Sequence, residues 1–183
     1  MKDIIALDMV GVIVDEENIV TKKLYKMLPE PKAVNVEELK LRAKLLRTGK
    51  ITYADFWKGI AVGNWEEYER KFIKSLNINA GVKNFLETLN GKYDFAIISD
   101  MHQIWGEMFL REHGIFDYFK YFVYGDKKSG EAYRKFKAQV KSAVKVIVID
   151  DSTENLDAAK QEGFDVVLFE NKENEFNDLC KKF

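Results

Sequence analysis

Apolar residues fall along this chain in two rhythms. Short unbroken runs at Ile4–Leu7, Phe95–Ile98, Tyr121–Tyr124, Val146–Ile149 and Val166–Phe169 are rich in β-branched and aromatic residues, a composition that favours strands. The first, second and fourth are nearly all apolar, as strands covered on both faces of a parallel sheet require. Between the later runs the period lengthens to that of a helix. Val82, Phe85, Leu86 and Leu89 recur at i, i+3, i+4, i+7, and Ile104, Trp105, Met108 and Phe109 share one face of a helix that Gly114 ends. Ser152 is placed to cap a helix carrying Leu156, Ala158 and Ala159 that stops at Gly163. Strands alternating with helices predict an α/β fold, a doubly wound and mostly parallel sheet of Rossmann-like design.

From about Glu16 to Ala80 the alternation gives way to helical pattern throughout: Leu24–Leu28, Val36–Leu46, Tyr53–Ile60 and Trp65–Leu76, punctuated by Pro29, Pro31, Gly49 and Gly63. The expected organisation is a core domain of residues 1–15 and 81–183, with residues 16–80 forming a small all-helical cap over the strand tips.

Composition narrows the function classes. Hydrophobic residues are 46% and charged residues 32% of 183, enough for a core under a heavily charged surface. The net charge is -1, from 29 basic and 30 acidic residues, so neither nucleic acid nor a membrane surface is an expected partner. Cys180 is the single cysteine and has no internal partner, and the apolar run after Lys2 and Asp3 is interrupted by Asp8. Both point to a reducing, cytoplasmic setting without a signal peptide or a membrane span. Oligomeric state is not written in the pattern.

Ligands of an open α/β sheet bind beyond the carboxyl ends of its strands, so each predicted strand can be asked what it delivers there. The first delivers Asp8, the second Ser99 and Asp100, and the fourth Asp150, Asp151 and Ser152; Gly125-Asp126-Lys127-Lys128 follows the third. Each residue alone is ordinarily a turn cap or solvated surface. Converging from four strands onto one edge, they suit a phosphate and metal site. Clustered carboxylates repel unless a cation compensates, and Asp8, Asp150 and Asp151 are the hard oxygen donors that Mg2+ prefers. Ser99 and Lys127 would orient a phosphoryl group while Asp8 attacks phosphorus, giving an aspartyl-phosphate that water then hydrolyses.

At these residues the sequence resembles the haloacid dehalogenase-like hydrolase superfamily. The resemblance implies that ALDMVGVIVD carries the nucleophile Asp8 and a tight turn at Gly11, and that IISD carries Ser99 as the phosphate-binding hydroxyl with Asp100 beside it. In YGDKKSGEAY the spacing to Tyr133 favours Lys127 as the family lysine, with Lys128 the alternative, and the proline that often follows is absent. VIVIDDSTENLDAAKQEG is the closest match, with Asp151 as direct Mg2+ ligand and Asp150 next to it. Residues 16–80 resemble the cap that many members insert after the first motif.

The chain departs from the pattern at Val10, where phosphatases of the family usually carry the aspartate that protonates the leaving oxygen. Its backbone carbonyl still serves as an implied metal ligand, so cation binding is expected to survive the loss of general acid catalysis. The first reading is therefore a Mg2+-dependent phosphatase on a small phosphorylated metabolite, with Asp15 or a cap residue as a substitute proton donor. The second is a weak or inactive module that binds a phosphorylated ligand or protein. A dehalogenase is disfavoured by the Asp150-Asp151 pair; a phosphonatase-like hydrolase would need a cap lysine, for which Lys22, Lys23, Lys40, Lys44, Lys50 and Lys58 are equivalent in sequence. In the stretch LLRTGKITYADFWKGI, Arg47 and Lys50 are expected to be solvated and Phe56 and Trp57 to fill the cap's own core. His102 and His113 are given no role in the site.

Overall fold

In the computed structural model, which describes residues 2–60, 63–140 and 144–183, β1 (Ile4–Leu7) is the middle strand of a five-stranded sheet. The other strands are β2 (Asp94–Ser99), β3 (Phe119–Tyr124), β4 (Val146–Asp150) and β5 (Asp165–Leu168). They lie in the order β3-β2-β1-β4-β5 and all pair in parallel. Ile4 lies between Asp94 and Val146, and Leu7 between Ile97 and Ile149, so the tips of β1, β2 and β4 end level. The chain runs outward from β1 through β2 to β3, then returns to place β4 on the other side of β1. That reversal of winding is where doubly wound sheets open a binding crevice.

Side chains alternate across the pleat and divide the core into two layers. Ile5, Leu7, Phe95, Ile97 and Ile149 pack beneath α5 (Val82–Leu89), α6 (Gln103–Glu112) and α9 (Glu175–Lys182). Ile4, Ala6, Ala96, Ile98 and Val148 face α7 (Glu131–Gln139) and α8 (Thr153–Gln161). Both sheet faces are therefore covered, which explains why β1 carries no polar residue.

The sequence expectation fails at Ile104, which is 40% exposed. The buried face of α6 is Trp105, Gly106, Phe109 and Leu110. A Cβ on Gly106 would lie 2.8 Å from the Tyr124 ring, so this glycine seats the helix on β3 and rotates Ile104 outward.

Between β1 and α5 the regular elements among the described residues are all helical. A π-helical turn at Val20–Leu24 leads into α1 (Tyr25–Met27), followed by α2 (Val36–Arg47), α3 (Tyr53–Trp57) and α4 (Trp65–Ser75). Asn35 caps α2 by accepting the Glu38 N–H, and Thr52 and Asp55 form a reciprocal capping box at α3. The segment leaves and returns along adjacent extended stretches: the Asp15 N–H donates to the Asn77 carbonyl and the Asn79 N–H to the Ile13 carbonyl. Its apolar face belongs to the same cluster as the β1–α5–α6 layer. Trp105 of α6 is the peg, with ring centroids 5.3 Å from Phe56, 6.3 Å from Trp57 and 5.3 Å from Phe72. Its indole N–H donates to Glu69 at 2.7 Å and to the Tyr53 hydroxyl at 3.0 Å. Phe56 and Trp57 are core residues, as expected from sequence.

Candidate active site

The tips of β1 and β2, Lys127 after β3 and Asn155 of α8 form the floor of a cavity of about 390 Å³, which the π-helical turn and α2 roof over, while Asp151 and Ser152 at the tip of β4 line an adjoining pocket. Asp8 extends the β1–β4 ladder by donating its own N–H to the Ile149 carbonyl. The next turn closes when the Val14 N–H reaches the Met9 carbonyl, and it folds the Met9 N–H back onto Asp8 Oδ1 at 2.6 Å. Gly11 completes it with φ +89. Any Cβ at this position would lie 2.1 Å from Asp151 Oδ2, so glycine is required both by the backbone conformation and by the approach of that carboxylate.

Lys127 settles between the two buried acids. Its Nζ lies 2.7 Å from Asp8 Oδ2 and 2.7 Å from Asp150 Oδ2, and the side chain is only 2% exposed. Lys128 instead points outward and pairs with Glu154. The choice between these neighbours is made by the loop: the Lys127 N–H donates to Asp100 Oδ1 at 3.0 Å, and its carbonyl accepts from Gly130, which begins α7 in the left-handed conformation. Asp100 thus acts on the cluster through the Lys127 backbone. Ser99, 1% exposed, lines the cavity and accepts the Met101 N–H at 3.1 Å.

Asp150 is saturated. Besides Lys127 on Oδ2, its Oδ1 accepts from Ser152 N–H at 2.9 Å and from Asn155 Nδ2 at 3.0 Å. Asn155 was missed in the sequence. The signal was available: it lies in the first turn of a helix capped by Ser152, a position that folds back toward the strand tip. Its Oδ1 is buried with no partner among the described residues.

Asp8, Asp150 and Asp151 each present an oxygen such that all lie within 4.8 Å of one another. With one ammonium among three carboxylates, the cluster carries excess negative charge. Burial pushes the Asp8 carboxyl up to about 7; Lys127 opposes this and the charge of Asp150 adds to it. Burial, then Asp150, also raises Asp151. For Lys127, burial acts to lower the pKa, but the paired Asp8 and Asp150 outweigh it and keep the ammonium charged. Two carboxyls raised in this way favour a compensating cation. Asp151 and Asp8 offer hard oxygens toward it, and no hydrogen bond among the described residues occupies the Val10 carbonyl. The donor set fits Mg2+.

The Val10 side chain lines the cavity and brings no proton donor. Asp15 does not replace it: this exposed carboxylate accepts from Asn171 at 3.2 Å and is not part of the cavity wall. Of the six lysines weighed for a cap imine, Lys40 and Lys44 line the cavity. Arg47 is exposed, as expected of a solvated cation, and also lines the cavity 3.7 Å from Asp100. His102 also joins the wall, stacked on Tyr53 at 4.9 Å with its Nδ1 buried and unpartnered among the described residues. His113 ends α6 outside the site. No helix among the described residues is long and apolar enough to cross a membrane.

The same architecture recurs in solved structures. A HAD-family enzyme from Bacteroides thetaiotaomicron, crystallised with magnesium and inorganic phosphate, matches with a TM-score of 0.75 at 17% identity over 96% of this chain and 98% of that one. A HAD phosphatase from Thermococcus onnurineus matches with a TM-score of 0.63 at 18% identity, over 92% and 86% of the two chains. At such identities the likeness speaks for the fold alone. No curated protein matches the sequence. The model of the haloacid dehalogenase-like hydrolase family, however, matches residues 5–169. That span runs from β1 past β5 and takes in every strand tip of the cavity floor, and on this match the chain belongs to the haloacid dehalogenase-like hydrolases.

Proposed function

We propose that this protein is a Mg2+-dependent phosphatase that acts on a small phosphorylated metabolite through an aspartyl-phosphate on Asp8. The observation that carries the reading is the buried Lys127 ammonium at 2.7 Å from both Asp8 and Asp150 on the cavity floor. A lysine so placed fixes the Asp8 carboxylate and offers positive charge to a phosphoryl group beside it. The Bacteroides relative, whose structure holds magnesium and inorganic phosphate, supports the same assignment of chemistry to this fold.

In this mechanism the Met9 N–H and Lys127 hold the Asp8 carboxylate in place for in-line attack. A bond forms between an Asp8 oxygen and phosphorus as the bond to the leaving oxygen breaks. The Ser99 hydroxyl donates to a phosphoryl oxygen, and Lys127 balances the charge. Asp8, Asp151 and the Val10 carbonyl, with Asp150 beside them, would hold Mg2+, which when bound neutralises phosphoryl charge. Water then attacks phosphorus, releases inorganic phosphate and regenerates the carboxylate. The roof formed by residues 16–80, proposed here as a cap domain over a core of 1–15 and 81–183, excludes bulk water during the first step.

Val10 sets the substrate class by leaving group. General acid assistance is worth about 10²–10⁴-fold in rate, and an alkoxide leaving without it is penalised by that factor. A carboxylate leaving from an acyl phosphate needs no proton. Acyl phosphates are accordingly the preferred substrates. The same Val10 favours a second reading, in which the site binds a phosphorylated ligand without turning it over.

Hydrolysis of acetyl phosphate and p-nitrophenyl phosphate, each with Mg2+ and with EDTA, separates the two. The phosphatase reading expects Mg2+-dependent turnover, faster on acetyl phosphate and abolished in Asp8→Asn. Activity no higher than that of Asp8→Asn on both compounds would leave the binding reading.

A further inference from the structure

The chemistry of the cavity floor accounts for one phosphoryl group and its cation. The roof holds more positive charge than that requires. Lys40, Lys44 and Arg47 follow one another at i, i+4 and i+7 on α2, and all three line the cavity above Asp8. No acidic residue of α2 joins them on the wall: Glu37 and Glu38 lie elsewhere on the helix. The helix buries Leu39 and Leu46, and its three cations stay exposed along the cavity wall.

These cations are incompletely neutralised. Lys40 pairs with the exposed Glu37 at 2.9 Å. Among the described residues Arg47 has only Asp100 at 3.7 Å, too long for a good hydrogen bond, and Asp100 already accepts from the Lys127 N–H. Lys44 has no ion-pair partner among the described residues. Between them and the floor stands an apolar wall of Ile19, Leu46, Met101 and Trp105. The volume of about 390 Å³ lies near the lower end of the range for small-ligand pockets, which suits one compact metabolite and no polymer.

We infer that the Lys44–Arg47 face of α2 is a second anion subsite, so that the substrate is a short-chain phosphorylated metabolite with a further anionic group, a carboxylate or a second phosphate, at its far end. The inference rests on the proposed phosphatase reading for the orientation of the first phosphoryl group. Bound this way, the phosphoryl group meets Lys127 and Ser99, the carbon chain lies along Met101 and Trp105, and the distal anion displaces the long Asp100 contact of Arg47 and adds Lys44. Charge-assisted contacts of this kind are the stronger class of hydrogen bond.

The test uses the full chain carrying Asp8→Asn, in Mg2+, and measures binding by calorimetry so that no turnover is needed. The probes are phosphomonoesters of three- and five-carbon chains that end in a hydroxyl, a carboxylate or a second phosphate. Anionic tails are expected to bind at least tenfold more tightly than the hydroxyl tail, and Lys44→Glu or Arg47→Gln is expected to cut that ratio to within about twofold of unity. Whichever anionic tail binds more tightly identifies the source of the second charge. Equal affinity for all tails, a ratio unchanged by both substitutions, or no binding by any probe would overturn the inference. Preference for anionic tails without hydrolysis of any compound by the unsubstituted protein would keep the subsite and remove the phosphatase reading; turnover without tail preference would do the reverse.

Discussion

Replacing Lys127 by methionine keeps the stem volume and deletes the one positive charge between Asp8 and Asp150. Both ion pairs are short, at 2.7 Å, and the side chains involved are at most 7% exposed, so water screens little of the loss. Removing one partner of a buried ion pair costs roughly 3–5 kcal/mol. In a domain of this length each kcal/mol lowers the unfolding midpoint by about 2–4 °C, so Lys127→Met should lower it by about 6–20 °C at pH 8. The loss depends on pH in a defined direction. Asp8 has a pKa of about 7 in the fold against 3.8 for an ordinary carboxyl, so the folded protein binds the extra proton and stability falls as pH rises between those values. Without the ammonium that opposes this shift, the Asp8 pKa climbs further, and the destabilised window extends to higher pH. The variant should therefore lose less at pH 5, where Asp8 is protonated, than at pH 8, and Mg2+ should restore part of the loss. Circular-dichroism melts at the two pH values, with Mg2+ and with EDTA, measure all three effects. A midpoint at pH 8 within about 2 °C of the unsubstituted protein, or a greater loss at pH 5, would refute the reasoning.

Three further outcomes are expected. Val10→Asp should raise turnover of alkyl phosphates, whose leaving groups are poor, by up to about 10²-fold and that of acetyl phosphate far less; equal gains would contradict the leaving-group argument. Gly11→Ala places a Cβ 2.1 Å from Asp151 Oδ2 at φ +89 and should weaken Mg2+ binding, read by calorimetry, at least tenfold; unchanged affinity would show that Asp151 does not bind the ion in this position. Glu69 is buried, and burial raises its carboxyl against the lowering effect of the Trp105 hydrogen bond, so folded protein with ionised Glu69 loses stability as pH rises above the ordinary carboxylate range. Glu69→Gln keeps an acceptor for Trp105 and should raise the midpoint by a few degrees at pH 8 but not at pH 4; a gain confined to pH 4 would reverse the sign of the account.

The fold was legible because both faces of the sheet are covered. A run such as Val146–Ile149 has no alternative to a buried strand, and the polar residue that ends it must stand at the tip. That is why Asp8, Ser99 and Asp150 could be placed from sequence alone. Spacing to Tyr133 favoured Lys127 but left Lys128 open, because the choice also depends on a hydrogen bond from the Lys127 backbone to Asp100, a residue 27 positions away. Ile104 was misplaced because helical period fixes a face but not its rotation, which here follows from Gly106 against Tyr124. The cationic lining of α2 stayed hidden for a related reason. Cations at i, i+4, i+7 ordinarily mark a solvated face, and Lys40, Lys44 and Arg47 are indeed exposed; only the arrangement of the roof makes that face a wall of the cavity that holds Asp8. Asn155, by contrast, was recoverable from the cap at Ser152.

The central claim, that the four strand tips place Asp8 for nucleophilic attack on phosphorus, is tested most directly by trapping the intermediate. The protein is mixed with acetyl phosphate and Mg2+, quenched in acid within the first turnover, digested and examined by mass spectrometry. A single phosphoryl group on the peptide that contains Asp8, lost with EDTA and absent in Asp8→Asn, is the predicted result. Release of inorganic phosphate with no label on that peptide, or label retained after Asp8→Asn, would contradict it.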